Sequence, residues 1–531
     1  MKSLLGNGRS PSRSKRGTRS SVIGFALAFG LIAASCGGDN NASDTTNAVS
    51  VTDTAAPVAT TSIVIAIADE PSTLDPQATE DGNERAVTDN IYETLLRRDS
   101  VTNELVPWLA TAMPTQESDT TWQFKLREGV TFSNGDPFNA ESAAFSINRV
   151  MNPDYNSAQI DFYGGIVDAV AVDTYTLEVH LVAADPVFPA RMYRLKMMSP
   201  AATDDSIVET AVGTGPYMLG SWNRGQDITL IANPTYWGEQ PSIQDVTIKF
   251  IPESNSRVAG LQSGEIQLAT LLPPEQAKDA PQVITRDGNE FPVYRLKNYE
   301  GVLKDPRIRQ ALNYAVDKES LANDLFSGYA SVATCQTLTP AHFGYNPDLT
   351  AYPYDPEKAK VLLAEAGYKG EKVSLLGATG RWLKDAEMHQ AIIGYLTAVG
   401  INIKADIRPF SSYIAEFVLN VQSGKPQQDI GFVSASNELF DATKIESYYS
   451  SEGGLSSYIN AEVDSELKAA RTSTDSATRE SHFHNATKIG CTDDPVFIFT
   501  LVLQDIYGAA ANLSWQPRAD GSIYIPDMKI G

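Results

Sequence analysis

Residues 22–34 form an apolar run of 13 residues, preceded by Arg13, Lys15, Arg16 and Arg19. A helix needs about 20 residues to cross ~30 Å of hydrocarbon, so this run is too short to be a membrane span. A basic head, a short apolar core and small residues before a cut site are the pattern of a secretory signal. Whatever the rest of the chain folds into, it is expected to do so outside the cytoplasm, after residues 1–35 are removed. Their removal deletes Lys2, Arg9, Arg13, Lys15, Arg16 and Arg19 and no acid, so the formal net charge of −23 falls by six to −29. A surface that acidic is a poor partner for nucleic acid or anionic headgroups, although total charge says nothing about the sign inside a pocket.

Ala33, Ala34 and Ser35 lead straight into Cys36, Gly37 and Gly38. This segment resembles the lipobox of bacterial lipoproteins, with Ala33 where that family usually carries Leu and Ile32 one place further back. The resemblance implies that Cys36 is acylated and anchors the protein to the outer face of the cell membrane, since stable anchoring takes at least two acyl signals. An ordinary cleavage site with an incidental cysteine is the competing reading. Residues 36–61 follow as a stretch of small and polar residues; from position 39 on it has no aromatic, no Lys and no Arg. Such a stretch buries too little apolar surface to offset its ordering entropy, and a disordered tether is expected.

The 470 residues after position 61 suffice for two or three domains. They hold two cysteines, Cys335 and Cys491, an even pair and so a candidate disulfide in an oxidising exterior. No metal-ligand spacing accompanies them, and neither a metal nor a cofactor is expected. A search for catalysis finds no Gly-x-Ser-x-Gly, no His-Glu-x-x-His and no Cys-x-x-Cys. The five histidines are scattered, and the nearest two, His482 and His484, face different sides of a helix. An enzyme is not expected; a secreted hydrolase of peptides or glycosides stays as a competitor without a positive residue.

The folded body opens on Ile63, Ile65 and Ile67 in strand alternation. Thr73-Leu74-Asp75-Pro76 and a helix carrying Ile91-Tyr92-Glu93-Thr94-Leu95 come next. Pro107-Trp108-Leu109-Ala110 precedes a strand with Trp122, Phe124 and Leu126 on one face, then a turn at Asn134-Gly135-Asp136-Pro137. Leu177, Val179 and Leu181 mark a further half-buried strand. Gly213-Thr214-Gly215-Pro216-Tyr217 lacks the Lys-Ser or Lys-Thr pair of a phosphate loop and reads as a turn into a strand; Asn233-Pro234-Thr235-Tyr236-Trp237-Gly238 follows. Beyond residue 300, Asp305-Pro306 and Asp355-Pro356 open helices as cap and first position, with Ile308, Ala311, Leu312, Ala315 and Val316 as the apolar stripe of the first. Helix and strand then alternate.

These segments, in this order, resemble the family 5 extracellular solute-binding proteins of ABC importers, the peptide, dipeptide and nickel group. The resemblance implies an α/β, periplasmic-binding-protein-like fold of the class II, cluster C type: two lobes around a cleft, with an extra subdomain. Residues 62–94, 212–300 and 495–531 would form lobe I, 95–211 the extra subdomain and 301–494 lobe II. It further implies the substrate-binding component of an import system, a monomer that captures a small solute, an oligopeptide being favoured, by hinge closure and delivers it to a membrane permease. A solute sensor with the same fold is the alternative role.

The same resemblance points to three cleft segments. The first holds Gln77, Glu80, Asp81 and Asn83. The second holds Arg381 and Trp382, where relatives that bind dipeptides meet the ligand's carboxylate with an arginine fork. The third holds Ser436, Asn437 and Glu438, where peptide-binding relatives carry an aspartate for the amino terminus. With Glu438 in the cleft an amine can be bound; with Ser436 and Asn437 there instead, the site is neutral and the ligand need not be a peptide.

Overall fold

The computed structural model describes residues 61–78, 82–201, 210–414, 416 and 427–531. The signal segment, Cys36, nearly all of the tether, Glu80 and Asp81 lie outside the described residues. Among the described residues no helix is long and apolar enough to cross a membrane.

Three sheets organise the body. The first runs Gln282–Asp287, Leu501–Ala509, Leu268–Ala269, Ser62–Ile67, Asp245–Phe250, Asp227–Ala232, Tyr217–Asn223, with Ala330–Val332 added on Leu501–Ala509. Ser62–Ile67 is central and parallel to both neighbours, and Ile63, Ile65 and Ile67 are all buried. The second sheet has the order Asn402–Pro409, Lys372–Thr379, Ile430–Ser436, Glu290–Leu296, Phe497–Phe499. The third is antiparallel, Thr115–Ser118, Thr121–Lys125, Thr176–Leu181, Ile166–Asp173, and belongs to the extra subdomain. Its buried Trp122, Phe124, Leu177 and Val179 pack with the helix Ala140–Met151.

Helix starts follow the expected chemistry. The Asp305 carboxylate accepts the Arg307 amide and Pro306 takes the first turn of Pro306–Ala315. That helix buries Ile308, Ala311, Leu312 and Ala315. Asp355 caps Pro356–Glu365 in the same way, and Gly367 at φ +73° lies just past its end.

The lobe boundaries differ from those read in the sequence. The strand Glu290–Leu296 was expected in lobe I but pairs with Ile430–Ser436, and Phe497–Phe499 pairs beside it in the second sheet. The chain therefore crosses between lobes at Gly288-Asn289 and at Thr500, not at 300/301 and 494/495. Ala330–Val332, inside the expected lobe II, pairs with the lobe I strand Leu501–Ala509. The reason is physical: Glu290–Leu296 is buried on both faces after its first residue, so it has no alternation to tell one sheet from the other.

Cys335 and Cys491 are bonded, with Cα atoms 5.5 Å apart across 156 positions of sequence. Both are buried in the lobe II core with Phe483 and Phe497. Replacing both with serine is expected to cost about 2–5 kcal/mol of unfolding free energy, mostly through the freed unfolded chain. Urea unfolding with and without the bridge measures it; equal midpoints would mean the core alone holds this region.

Candidate functional site

Between the lobes lies a cavity of about 590 Å³. Lobe I supplies Arg85 from the helix Gly82–Ile91, the turn at Leu271 and Leu272, and Asp505 and Asp520 near the C-terminus. The crossing contributes Gly288, Asn289 and Glu290, and the extra subdomain Arg194. Lobe II closes the other side with Arg381, Leu383, Ser436 and Glu438.

The Arg381 wall is preorganised from its own backbone. The Asp385 carboxylate accepts the amides of Gly380 at 3.2 Å, Arg381 at 3.0 Å and Trp382 at 3.0 Å. The loop is thereby fixed while the Arg381 side chain stays exposed, with no carboxylate within ion-pair distance among the described residues. On the same wall Ser436 Oγ donates to Glu438 Oε1 at 2.6 Å. Burial pushes the Glu438 carboxyl up, but the Ser436 hydrogen bond and the Lys444 ammonium outweigh it and hold the group below its usual value. At Glu290 burial prevails and raises the carboxyl, against the lowering influence of Arg381. Arg286 is ion-paired with Asp505.

Three expected site residues do other work. Gln77 is fully buried; its Nε2 donates to the carbonyls of Ser146 at 2.9 Å and Lys196 at 3.2 Å, and its Oε1 accepts from Arg149 at 2.9 Å. It ties its loop to the extra subdomain and does not face the cleft. Trp382 packs edge-on against Phe410 and Phe432, each at 5.3 Å, so its ring belongs to the lobe II core. Asn437 is buried and donates to the Asp441 carbonyl at 3.0 Å, holding a turn. Asn83 is partly buried on the helix turn that presents Gly82 and Arg85 to the cavity, and does not line it. Of the expected residues, Arg381, Ser436 and Glu438 line the cavity. Arg85, Arg194, Glu290, Asp505 and Asp520 were not foreseen, and no local motif marks them.

Lobe II also touches the extra subdomain beside the cavity. Arg98 donates to the Leu439 carbonyl at 2.5 Å and lies over the Phe440 ring, Tyr193 donates to the Glu438 carbonyl at 2.5 Å, and Asn103 to that of Ala341 at 3.0 Å. His342 stacks on Phe440 at 4.9 Å and reaches the crossing residue Asn289 at 3.1 Å.

A profile described as "Bacterial extracellular solute-binding proteins, family 5 Middle" matches residues 104–450. The chain belongs to that family. It is 27% identical over 459 residues to the "Glutathione-binding protein GsiB" of Salmonella typhi, covering 82% of this chain and 87% of the relative. Among solved structures, "HbpA2 from Haemophilus parasuis" superposes with a TM-score of 0.80 at 21% identity, over 88% of this chain and all of that one. DppA from Helicobacter pylori, "in complex with peptide STSA", gives 0.68 at 22% identity, over 88% and 98%. At those identities the solved structures establish the fold: two α/β lobes of the periplasmic-binding type. The protein is an extracytoplasmic solute-binding component of an ABC importer, and its relatives are binding proteins, not enzymes. Nothing in these comparisons supports a hydrolase.

Burial, with Arg98 adding to it, lowers the His342 imidazole to about 4. The folded state therefore refuses a proton that the unfolded chain accepts below about 6.5, so stability is present above that pH and is lost as pH falls toward 4. The expected loss is up to about 3 kcal/mol from this group. Denaturant melts of wild type and His342→Gln between pH 7 and 4 read it as the difference in slope; parallel curves would contradict it.

Proposed function

We propose that the imported solute is peptide-like and zwitterionic, held extended between the lobes with its amine at Glu438 and Ser436 and a carboxylate at Arg381. The observation that carries this reading is the lobe II wall: an arginine with no ion pair among the described residues and a glutamate held ionised by Ser436 and Lys444 stand on one rigid surface. An acid and a base fixed apart select a ligand with both charges, and reject one lacking either by leaving a buried charge unpaired. The glutathione-binding and peptide-bound relatives support the same class. Calorimetry with glutathione and short peptides tests it. Arg381→Ala is expected to weaken a carboxylate-bearing ligand by about 2–5 kcal/mol, and to leave its C-terminal amide unaffected. Equal losses for acid and amide would take Arg381 out of the site.

The receptor is, in this proposal, a monomer held at the outer face of the membrane by acylated Cys36, with residues 36–61 as its tether. A tether of about 25 residues keeps the binding body at high local concentration beside the permease. Cys36→Ala should leave ligand affinity unchanged and move the protein from the membrane fraction to the medium. Retention of Cys36→Ala in membranes would contradict the anchor without touching the binding fold.

A further inference from the structure

Behind the cleft, and sharing Arg85, Arg194 and Asp520 with it, lies a second and smaller chamber of about 70 Å³. Its walls carry six cations and three acids. Two of these cations are neutralised by one acid, since Asp89 pairs with Lys196 at 2.7 Å and Arg85 at 3.2 Å. Arg518 pairs outward with Asp527 at 2.7 Å. Among the described residues Arg97 and Arg98 have no such partner. Arg98 is 7% exposed and spends its terminal nitrogens on the carbonyls of Asn103 and Leu439, and its Nε is buried without a hydrogen bond. Arg97 stacks on Trp108 with 3.2 Å from guanidinium carbon to ring centroid; its Nε is likewise buried and unbonded.

Of the other two acids in the wall, Asp520 sits where the chamber meets the cleft, and Glu93 does not compensate. Glu93 is buried and takes its hydrogen bonds from neutral groups: Trp108 at 2.7 Å, and Tyr236, Trp237 and Thr214 at 2.8 Å each. Burial pushes its carboxyl upward, toward the uncharged form. The chamber therefore concentrates positive charge and orphaned donors in a partly desolvated space, an arrangement costly for folding unless an anion completes it. Its volume suits a single carboxylate or phosphate head, and three of its wall residues are shared with the cleft.

We propose that this chamber is an anion subsite: it receives a second acidic group, a carboxylate or a phosphate, of a solute whose body lies between the lobes. This rests on the reading of the cleft as the solute site and sharpens it, because the preferred solute then carries a net negative charge. Arg97, stacked on Trp108 with its Nε unbonded among the described residues, is the group that makes the contact.

The test titrates the whole mature chain calorimetrically with succinate, inorganic phosphate and neutral succinamide. At least one of the two anions is expected to bind and succinamide not to; whichever anion binds identifies the head group. Arg97→Met, which keeps an apolar stem over Trp108, should weaken that anion at least tenfold, while Arg307→Met on the exposed surface leaves it unchanged. Arg97→Gln replaces Arg97→Met should the latter melt below the titration temperature. Anion binding that survives loss of Arg97, or binding of neither anion, overturns the chamber. Glutathione titrated into the same proteins separates the two readings. Binding indifferent to Arg97 removes the chamber and keeps the peptide-like solute. Arg97-dependent anion binding in a protein that ignores glutathione and short peptides removes the peptide-like solute and keeps the chamber.

Discussion

At Gly288 the amide donates to the Leu503 carbonyl at 2.7 Å, and a Cβ there would come within 2.6 Å of the same oxygen. One crossing segment is thus locked to the other strand that joins the lobes, at a distance only glycine permits. Everything on the cleft floor is referred to that contact. Glu290 follows it by two residues, Asp505 lies two residues beyond Leu503, and the Glu290–Leu296 strand leads directly into the pairing that carries Ser436. Hinge closure moves two rigid sheets about this locked pair, so the charges on each wall keep their spacing while the walls approach.

Glu93 does the same for lobe I and its extra subdomain. Its carboxyl gathers Trp108, Thr214, Tyr236 and Trp237, which come from segments more than 100 residues apart in the chain. Each of these residues sits in a motif that was legible in the sequence and carried the family resemblance. Their meaning was not legible: the Gly-Thr-Gly segment is glycine-rich because a Cβ at Gly213 or Gly215 would meet the Ile91 carbonyl, at 2.0 and 2.6 Å. The most recognisable residues of the chain are therefore joints of the scaffold, and the cavity between the lobes is lined by less conspicuous ones.

That division explains what sequence reasoning recovered. Strands with clean alternation, such as Ser62–Ile67, and helices opened by Asp-Pro were readable because local physics decides them. Glu290–Leu296 was not, since a strand buried on both sides carries no sign of its sheet. At the cavity, Arg381, Ser436 and Glu438 lie at or just past strand ends, in segments to which the family resemblance pointed. Trp382 misled, because an aromatic beside a cleft arginine can turn equally to core or ligand, and only Phe410 and Phe432 decide which. Gln77 misled because a polar residue in a loop looks exposed until Arg149 and two carbonyls claim it. Arg85, Arg194, Asp505 and Asp520 converge from separate elements, and convergence is a property of the fold.

The electrostatics of the whole molecule bear on how such a site is filled. The chain is strongly acidic overall, with a formal net charge of −23, yet the chamber gathers five arginines and the cleft sets four arginines beside four acids. At physiological ionic strength the screening length is about 8 Å, so the exterior neither attracts nor strongly repels a distant acidic solute. The arginines act only once the solute has entered, where screening is weak and water is being expelled. Discrimination then resides in how long a ligand stays and much less in how fast it arrives. A receptor that must hand its cargo to a permease gains from that arrangement, because separating the lobes readmits water to the same contacts and releases what they held.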